Sequence, residues 1–211
     1  NLGKSVDAFH RNYFSYICYI TPLKLSIKMN YKILNKKRVF DEYLKIDEYD
    51  VQHERYSGNE NAHKNLEIAA KGDACAALVY EADTNSILLI EQFRLPSAIH
   101  GDGWIIELVA GTMEADEDPI ETMEREILEE IGYKVSSLEF IQRVFISPGW
   151  TTERMNIYFA TTNSSLKVSA GGGLEDEQED IRIIKIPVEQ LDIFINSILD
   201  AKTLIALQWF R

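Results

Sequence analysis

The sequence contains few cysteines and no long apolar segment. Its 211 residues include only two cysteines, Cys18 and Cys75, which excludes a disulfide framework and favours a reducing compartment, so we expect a cytoplasmic protein. No uninterrupted apolar run approaches the roughly 18 residues that a membrane-spanning helix needs. The sequence therefore predicts no membrane-spanning segment and no membrane partner.

Positive charge is also scarce. Lys and Arg total 22 against 34 Asp and Glu, which gives a formal net charge of −12. A general nucleic-acid-binding protein would present a basic face, so this class of function is excluded. A small anionic substrate stays open, because a divalent cation can bridge an acidic protein and a phosphate. The four histidines show no metal-ligand spacing.

Composition divides the chain into three parts. Residues 1–28 carry four basic residues and one acidic residue, and we interpret them as an upstream or disordered extension. Residues 29–70 partly alternate apolar and polar side chains, which predicts a small β subdomain, with a polar loop over 57–64. Residues 71–211 contain the stronger apolar segments and are predicted to form the main domain.

Strand and helix patterns in the main domain do not alternate regularly, as they would in a doubly wound sheet. This mixture predicts an α+β fold in which helices cover a mixed sheet. The predicted strands cover 74–80, 86–93, 104–109, 138–146, 154–160 and 181–186. The predicted helices lie between Asp118 and Gly132, over 188–199 and over 201–210.

The segment 111–133, GTMEADEDPIETMEREILEEIGY, carries the most chemical information. Asp118 as the N-cap, Pro119 at the first helical position and Gly132 as the stop signal predict a short helix. The predicted buried face of this helix consists of Ile120, Met123, Ile127, Leu128 and Ile131.

Two glutamates of the same helix, Glu126 and Glu130, lie four positions apart and so share one face. Like charges at this spacing destabilise a helix. A hard cation such as Mg²⁺, Mn²⁺ or Ca²⁺, bound by carboxylate oxygens, would relieve the repulsion. The helix alone also allows a solvated acidic face in which Arg125 pairs with its neighbours.

The spacing of the whole segment favours the metal site, because it resembles the Nudix box at every defined position. The matching positions are Gly111, Glu117, Arg125, Glu126, Ile127, Glu129, Glu130, Gly132 and Tyr133. The resemblance implies a Nudix hydrolase with an α/β/α sandwich that binds Mg²⁺ or Mn²⁺. It further implies metal ligation by the Ala110 carbonyl, Glu126, Glu129 and Glu130, and a catalytic role for Glu129 and for Arg125, which would orient the glutamates.

Segments outside the box resemble the ADP-ribose pyrophosphatase subfamily. The strand ending in Arg94, the segment with Glu107 that runs into the box, and Glu153 after Ser147-Pro148-Gly149 match that subfamily, which implies substrate binding by these three residues. The acidic stretch 173–181 resembles the catalytic loop of the bacterial enzymes, which implies that Glu177 positions or deprotonates the attacking water.

The resemblance implies metal-dependent hydrolysis of the diphosphate bond of ADP-ribose or a related nucleoside diphosphate sugar. It also implies a homodimer built through the N-terminal β subdomain. Asn65 and Leu66 stand where the bacterial ADP-ribose enzymes carry arginines, and the glycine run 171–173 resembles GDP-mannose pyrophosphatases. GDP-mannose is therefore the alternative substrate.

Two further functions compete with this one. A catalytically silent Nudix ligand sensor is disfavoured, because no box position is lost. A Ca²⁺-binding structural domain is disfavoured, because no Asp-x-Asp-x-Asp-Gly loop occurs.

Overall fold

The computed structural model describes residues 28–114, 116–174, 176 and 178–211. These residues form two compact units. The first contains residues 28–36 and Tyr49–Leu66, and the second contains Lys37–Glu48 and Glu67–Arg211. The predicted extension 1–28 lies outside the described residues except for its last position, and the predicted catalytic residue Glu177 lies outside them as well.

The N-terminal region forms a three-stranded sheet in the order β1 (Tyr31–Asp41), β2 (Lys45–His53) and β3 (Ala62–Ala69). The sequence predicts the first two strands but assigns the start of β3 to a loop. Six of the eight side chains of β3 lie at or near the surface. No apolar alternation therefore indicates this strand in the sequence.

The second sheet has seven strands and is mixed, as the sequence predicts. Its main order is β10-β5-β4-β9-β8, with β6 paired to β5 and β7 paired to β4. The β4–β9 pair is parallel and the other pairs are antiparallel. The strands are β4 (Ala74–Glu81), β5 (Ser86–Phe93), β6 (Trp104–Glu107), β7 (Val109–Thr112), β8 (Ser137–Phe145), β9 (Arg154–Thr162) and β10 (Arg182–Pro187).

The segment 104–109, predicted as one strand, changes its partner at Leu108. Residues up to Glu107 pair with β5, whereas those from Val109 pair with β4. The change leaves the Leu108 N–H outside both ladders, and this N–H donates to the buried Thr203 hydroxyl oxygen at 2.9 Å. A buried donor without a partner would be costly, so this contact stabilises the switch.

The described helices are α1 (Leu95–Ala98), α2 (Pro119–Ile131), α3 (Leu191–Phe194) and α4 (Ala201–Phe210). The continuous helix predicted over 188–199 is instead α3 flanked by the 3₁₀ turns Val188–Gln190 and Ile195–Ser197. No helix of the described residues combines the length and the apolar character needed to cross a bilayer.

Helices cover both faces of the seven-stranded sheet, because its central strand β4 buries side chains on both sides. Ala76 and Leu78 pack in a cluster with Leu207 of α4. The alternating residues Ala77 and Val79 pack in a second cluster, which includes the α2 residues Met123, Ile127 and Ile131. This is the predicted sandwich of two helical layers around a sheet.

Helix α2 has the predicted ends. The Asp118 carboxylate accepts a hydrogen bond from the Ile120 N–H at 2.8 Å, and Gly132 adopts the left-handed conformation with φ of 77°. The prediction of its buried face is wrong at two positions, since Ile120 is 48% exposed and Leu128 is 38% exposed. The sheet therefore covers a narrower stripe of the helix than the apolar pattern indicates.

The end of α2 yields a test of stability. We predict that Gly132→Ala lowers the free energy of unfolding by at least about 1 kcal/mol, because a left-handed backbone is unfavourable for alanine. The added Cβ would also lie 2.3 Å from the Ser169 carbonyl oxygen. Urea unfolding measures the change. Gly149→Ala is the control, since its Cβ meets nothing within 4 Å, and a loss of equal size there would contradict the argument.

Candidate active site

Helix α2 presents Glu126 towards the strand β7, and Gly111 makes this approach feasible. A Cβ at Gly111 would lie 1.8 Å from Glu126 Oε1, which is a steric clash. Any side chain at position 111 would therefore push the carboxylate away. The glycine that begins the box is required by this close contact between strand and helix.

Glu130, one turn further along α2, is almost completely buried, with 2% of its surface exposed. Its Oε2 accepts a hydrogen bond from the Ala110 N–H at 3.2 Å. Burial, together with the charges of Glu126 and Glu179, raises the pKa of Glu130 to about 9. Burial likewise raises the pKa of Glu126. The metal-free site therefore concentrates carboxylates that resist ionisation.

Arg125 connects the acidic residues around the start of the site. Its guanidinium lies 2.8 Å from Glu126 Oε1, 3.1 Å from Glu129 Oε2 and 3.2 Å from Glu117 Oε1. Glu117 Oε2 in turn accepts the Glu114 N–H at 3.0 Å. Arg125 therefore contacts both Glu126 and Glu129, the glutamates that it is predicted to orient.

Glu107, the last residue of β6, holds two cationic side chains. It is buried, and its Oε2 accepts hydrogen bonds from Arg94 Nε at 3.1 Å and from Arg94 Nη2 at 2.8 Å. Its Oε1 lies 3.2 Å from Lys202 Nζ, while Gln92 Nε2 donates to Oε2 at 3.2 Å. Both oxygens are thus engaged by the protein, which suits a residue that positions Arg94 and Lys202.

These groups line one open cleft of about 610 Å³. Its acidic side chains belong to Glu107, Glu114, Glu126, Glu130, Glu153 and Glu179, and its basic side chains belong to Lys71, Arg94, Arg125 and Lys202. The structure thus gathers the predicted residues Arg94, Glu107, Ala110, Arg125, Glu126, Glu130 and Glu153. The predicted ligand Glu129 is not among the lining residues.

The cleft residues that sequence reasoning missed include Lys71, Lys202 and the fully exposed Tyr43. Lys202 is the second residue of α4, two positions after the N-cap Asp200, with which it also pairs at 3.0 Å. A lysine in a helix gives no signal of its own, because the same residue usually lies in solvent. Its role depends on Glu107, which lies 95 positions earlier.

The donor set fits a hard divalent cation. Magnesium and manganese prefer carboxylate and carbonyl oxygens, which Glu126, Glu130 and the Ala110 backbone provide. Among the described residues, no group of three or more His, Cys, Asp or Glu side chains has a metal-binding arrangement. Glu129 pairs with Arg125, whereas Glu126 and Glu130 approach β7 at Gly111 and Ala110.

Comparisons with known proteins agree with this geometry. The NUDIX domain model matches residues 70–206. A GDP-mannose pyrophosphatase of Pectobacterium atrosepticum is 32% identical over 180 residues, which cover 83% of this chain and 91% of that protein. The GDP-mannose pyrophosphatase of Enterobacter sp. (strain 638) is 31% identical over 191 residues, covering 89% and 97%.

A solved structure shares the fold. The crystal structure of an ADP compounds hydrolase superimposes with a TM-score of 0.69 and 18% sequence identity, and the match covers 88% of this chain and 94% of that one. At this identity the likeness concerns the fold.

The buried carboxylates predict how stability depends on pH without metal. The pKa of Glu130 is about 9 in the folded protein, against an ordinary value of 4.5. Between these values the folded state binds more protons than the unfolded state, so the free energy of unfolding falls as pH rises from about 5 to 9. Glu130→Gln should remove much of this decrease, because glutamine does not ionise.

Urea unfolding in EDTA at pH 5, 7 and 9 measures the effect. The matched control is Glu124→Gln, which removes the same charge from the exposed face of the same helix and should keep the wild-type slope. Equal slopes in wild type and Glu130→Gln would show that the carboxylate ionises freely in the folded protein.

Proposed function

The chain belongs to the NUDIX family and is a Nudix hydrolase, and from this membership we propose that it hydrolyses the diphosphate bond of a nucleoside diphosphate sugar. The products would be a nucleoside monophosphate and a sugar phosphate. One observation carries the proposal: the partly buried Glu126, the buried Glu130 and the cations Arg94 and Lys202 line the same cleft. Such a cleft suits a diphosphate that is bound through metal and through protein cations together.

Glu126, Glu130 and the Ala110 carbonyl, with Glu129 as a further ligand, would hold Mg²⁺ or Mn²⁺. When bound, the cation supplies charge neutralisation for the diphosphate and lowers the pKa of a water. Arg125 holds Glu126 and Glu129 in place through its contacts at 2.8 and 3.1 Å. We assign it the predicted orienting role.

Arg94 and Lys202 would bind the phosphate oxygens. Glu107 holds both cations in place, because Oε2 binds Arg94 and Oε1 binds Lys202. We therefore assign Glu107 to the positioning of Arg94 and Lys202, and we assign direct substrate contact to Arg94, Lys202 and Glu153.

In the proposed reaction a water oxygen attacks one phosphorus of the diphosphate while its proton passes to a carboxylate. The bond from that phosphorus to the bridging oxygen breaks, and the other phosphate leaves. We assign the proton acceptor to Glu177, which lies outside the described residues, on the resemblance of the stretch 173–181 to the bacterial catalytic loop. Glu179 of the same stretch lines the cleft and is the alternative acceptor.

We propose GDP-mannose as the preferred substrate and ADP-ribose as the alternative. The sequence motifs by themselves favour ADP-ribose. The similarity to GDP-mannose pyrophosphatases over more than four fifths of the chain supports the change, together with Asn65 and Leu66 in place of arginines.

We also propose a cytoplasmic homodimer. Every residue of strand β1 is exposed, including the apolar side chains of Tyr31, Ile33 and Phe40. This exposed strand supports association through the N-terminal sheet. Cys75, a buried free thiol, supports a reducing compartment.

A substrate panel tests the reaction. With Mg²⁺ present, we predict that kcat/KM for GDP-mannose exceeds that for ADP-ribose by at least tenfold, a difference of about 1.4 kcal/mol in transition-state stabilisation. Glu126→Gln should lower turnover of both by orders of magnitude without loss of folding. A tenfold preference for ADP-ribose would reverse the substrate assignment, and binding of either nucleotide sugar without turnover would favour the ligand sensor.

Substitutions in the acidic stretch test the proton acceptor. A positioned base contributes roughly 10²- to 10⁴-fold to the rate, so Glu177→Gln should lower kcat by that range with little change in KM. Glu179→Gln is the matched control and should cost less than about tenfold by the same measure. A larger defect in Glu179→Gln would transfer the assignment to Glu179.

A further inference from the structure

The segments 69–73 and 151–154 lie side by side and are joined by a backbone hydrogen bond and by the Thr152 hydroxyl. The Thr152 N–H donates to the Ala69 carbonyl at 3.0 Å. The Lys71 N–H donates to Thr152 Oγ1 at 3.0 Å, and the same hydroxyl donates to the Lys71 carbonyl at 2.8 Å. These hydrogen bonds fix the backbone positions from which the side chains of Lys71 and Glu153 extend.

Two ion pairs connect the same segments, and only one of them faces the cleft. Lys71 Nζ lies 2.7 Å from Glu153 Oε1, and both residues line the cleft. Arg154 forms a bidentate pair with Asp73 at 2.9 and 2.7 Å, and neither of these residues is among the lining residues. The Asp73–Arg154 pair therefore joins the segments independently of the cleft.

The exposure of the Lys71–Glu153 pair limits its contribution to stability. Lys71 is 43% exposed, whereas Glu153 is only 19% exposed, and ion pairs with an exposed partner contribute little to folding. Glu153 also stands in a cleft proposed to bind a diphosphate, which an unpaired carboxylate would repel. The ammonium of Lys71 offsets this charge and restricts the rotamers of Glu153.

We propose that Lys71 is a positioning residue that determines substrate affinity by holding the carboxylate of Glu153. Lys71 engages Oε1, and Oε2 accepts a hydrogen bond from a hydroxyl of the nucleoside diphosphate sugar. This inference rests on the proposed function and assigns a further residue to the same site. Because the hydrogen bond lies away from the bond that breaks, it affects KM rather than kcat.

Steady-state kinetics with GDP-mannose and ADP-ribose in Mg²⁺ tests the proposal. For the preferred substrate, Lys71→Met should raise KM about tenfold while kcat stays within about twofold, as expected when uniform binding is lost. Lys71→Arg should restore KM, because arginine also pairs with a carboxylate. Asp73→Asn is the control, since it breaks the neighbouring pair between the same segments and should leave KM unchanged.

A double-mutant cycle identifies the partner. Glu153→Gln should raise KM by a similar factor, and Lys71→Met combined with Glu153→Gln should be no worse than either single variant, because each removes the same interaction. Fully additive effects, or an equal rise of KM in Asp73→Asn, would overturn the assignment. Wild-type turnover with unchanged KM in Lys71→Met would overturn this inference alone, whereas a wild type that turns over neither substrate would overturn the proposed function and the inference with it.

Discussion

The placement of two carboxylates, one turn apart, on the side of a helix that faces the sheet is the constraint on which the rest of the site depends. Glu126 and Glu130 sit between α2 and β7, where apolar residues would pack more favourably, and burial raises the pKa of both. Gly111 leaves room for one carboxylate, and the Ala110 N–H binds the other. The divalent cation of the proposed function would offset this unfavourable arrangement, which would make a destabilising local feature compatible with function.

The cations Lys71, Arg94 and Lys202 differ from these carboxylates, because each of them has an oppositely charged partner within the protein. Arg94 and Lys202 share Glu107, and Lys71 engages Glu153. Paired cations keep a fixed geometry without substrate, so less conformational entropy is lost when an anion binds. The strand switch at Leu108 places Glu107 before the change of partner and Ala110 after it. One short segment therefore supplies the partner of Arg94 and Lys202 and also the N–H that binds Glu130.

Much of this could be predicted from the sequence wherever the signal is local. Asp118, Pro119 and Gly132 define the ends of α2 through backbone chemistry that involves only neighbouring residues. Most strands of the large sheet follow from apolar runs, because the sheet is covered on both faces. The failures lie where this signal is weak: β3 exposes most of its side chains, and the apolar stretch 188–199 is broken by 3₁₀ turns.

The sequence by itself therefore determined the family, the acidic helix and the class of chemistry, since the spacing of a few residues along one helix and its flanking turns defines them. Only the tertiary structure decided which cations complete the site. Lys202 meets Glu107 across 95 positions, and the backbone of Lys71 binds the Thr152 hydroxyl across 81. Contacts at such separations depend on how the strands pair and where α4 packs, and a lone lysine carries no local pattern from which either could be inferred.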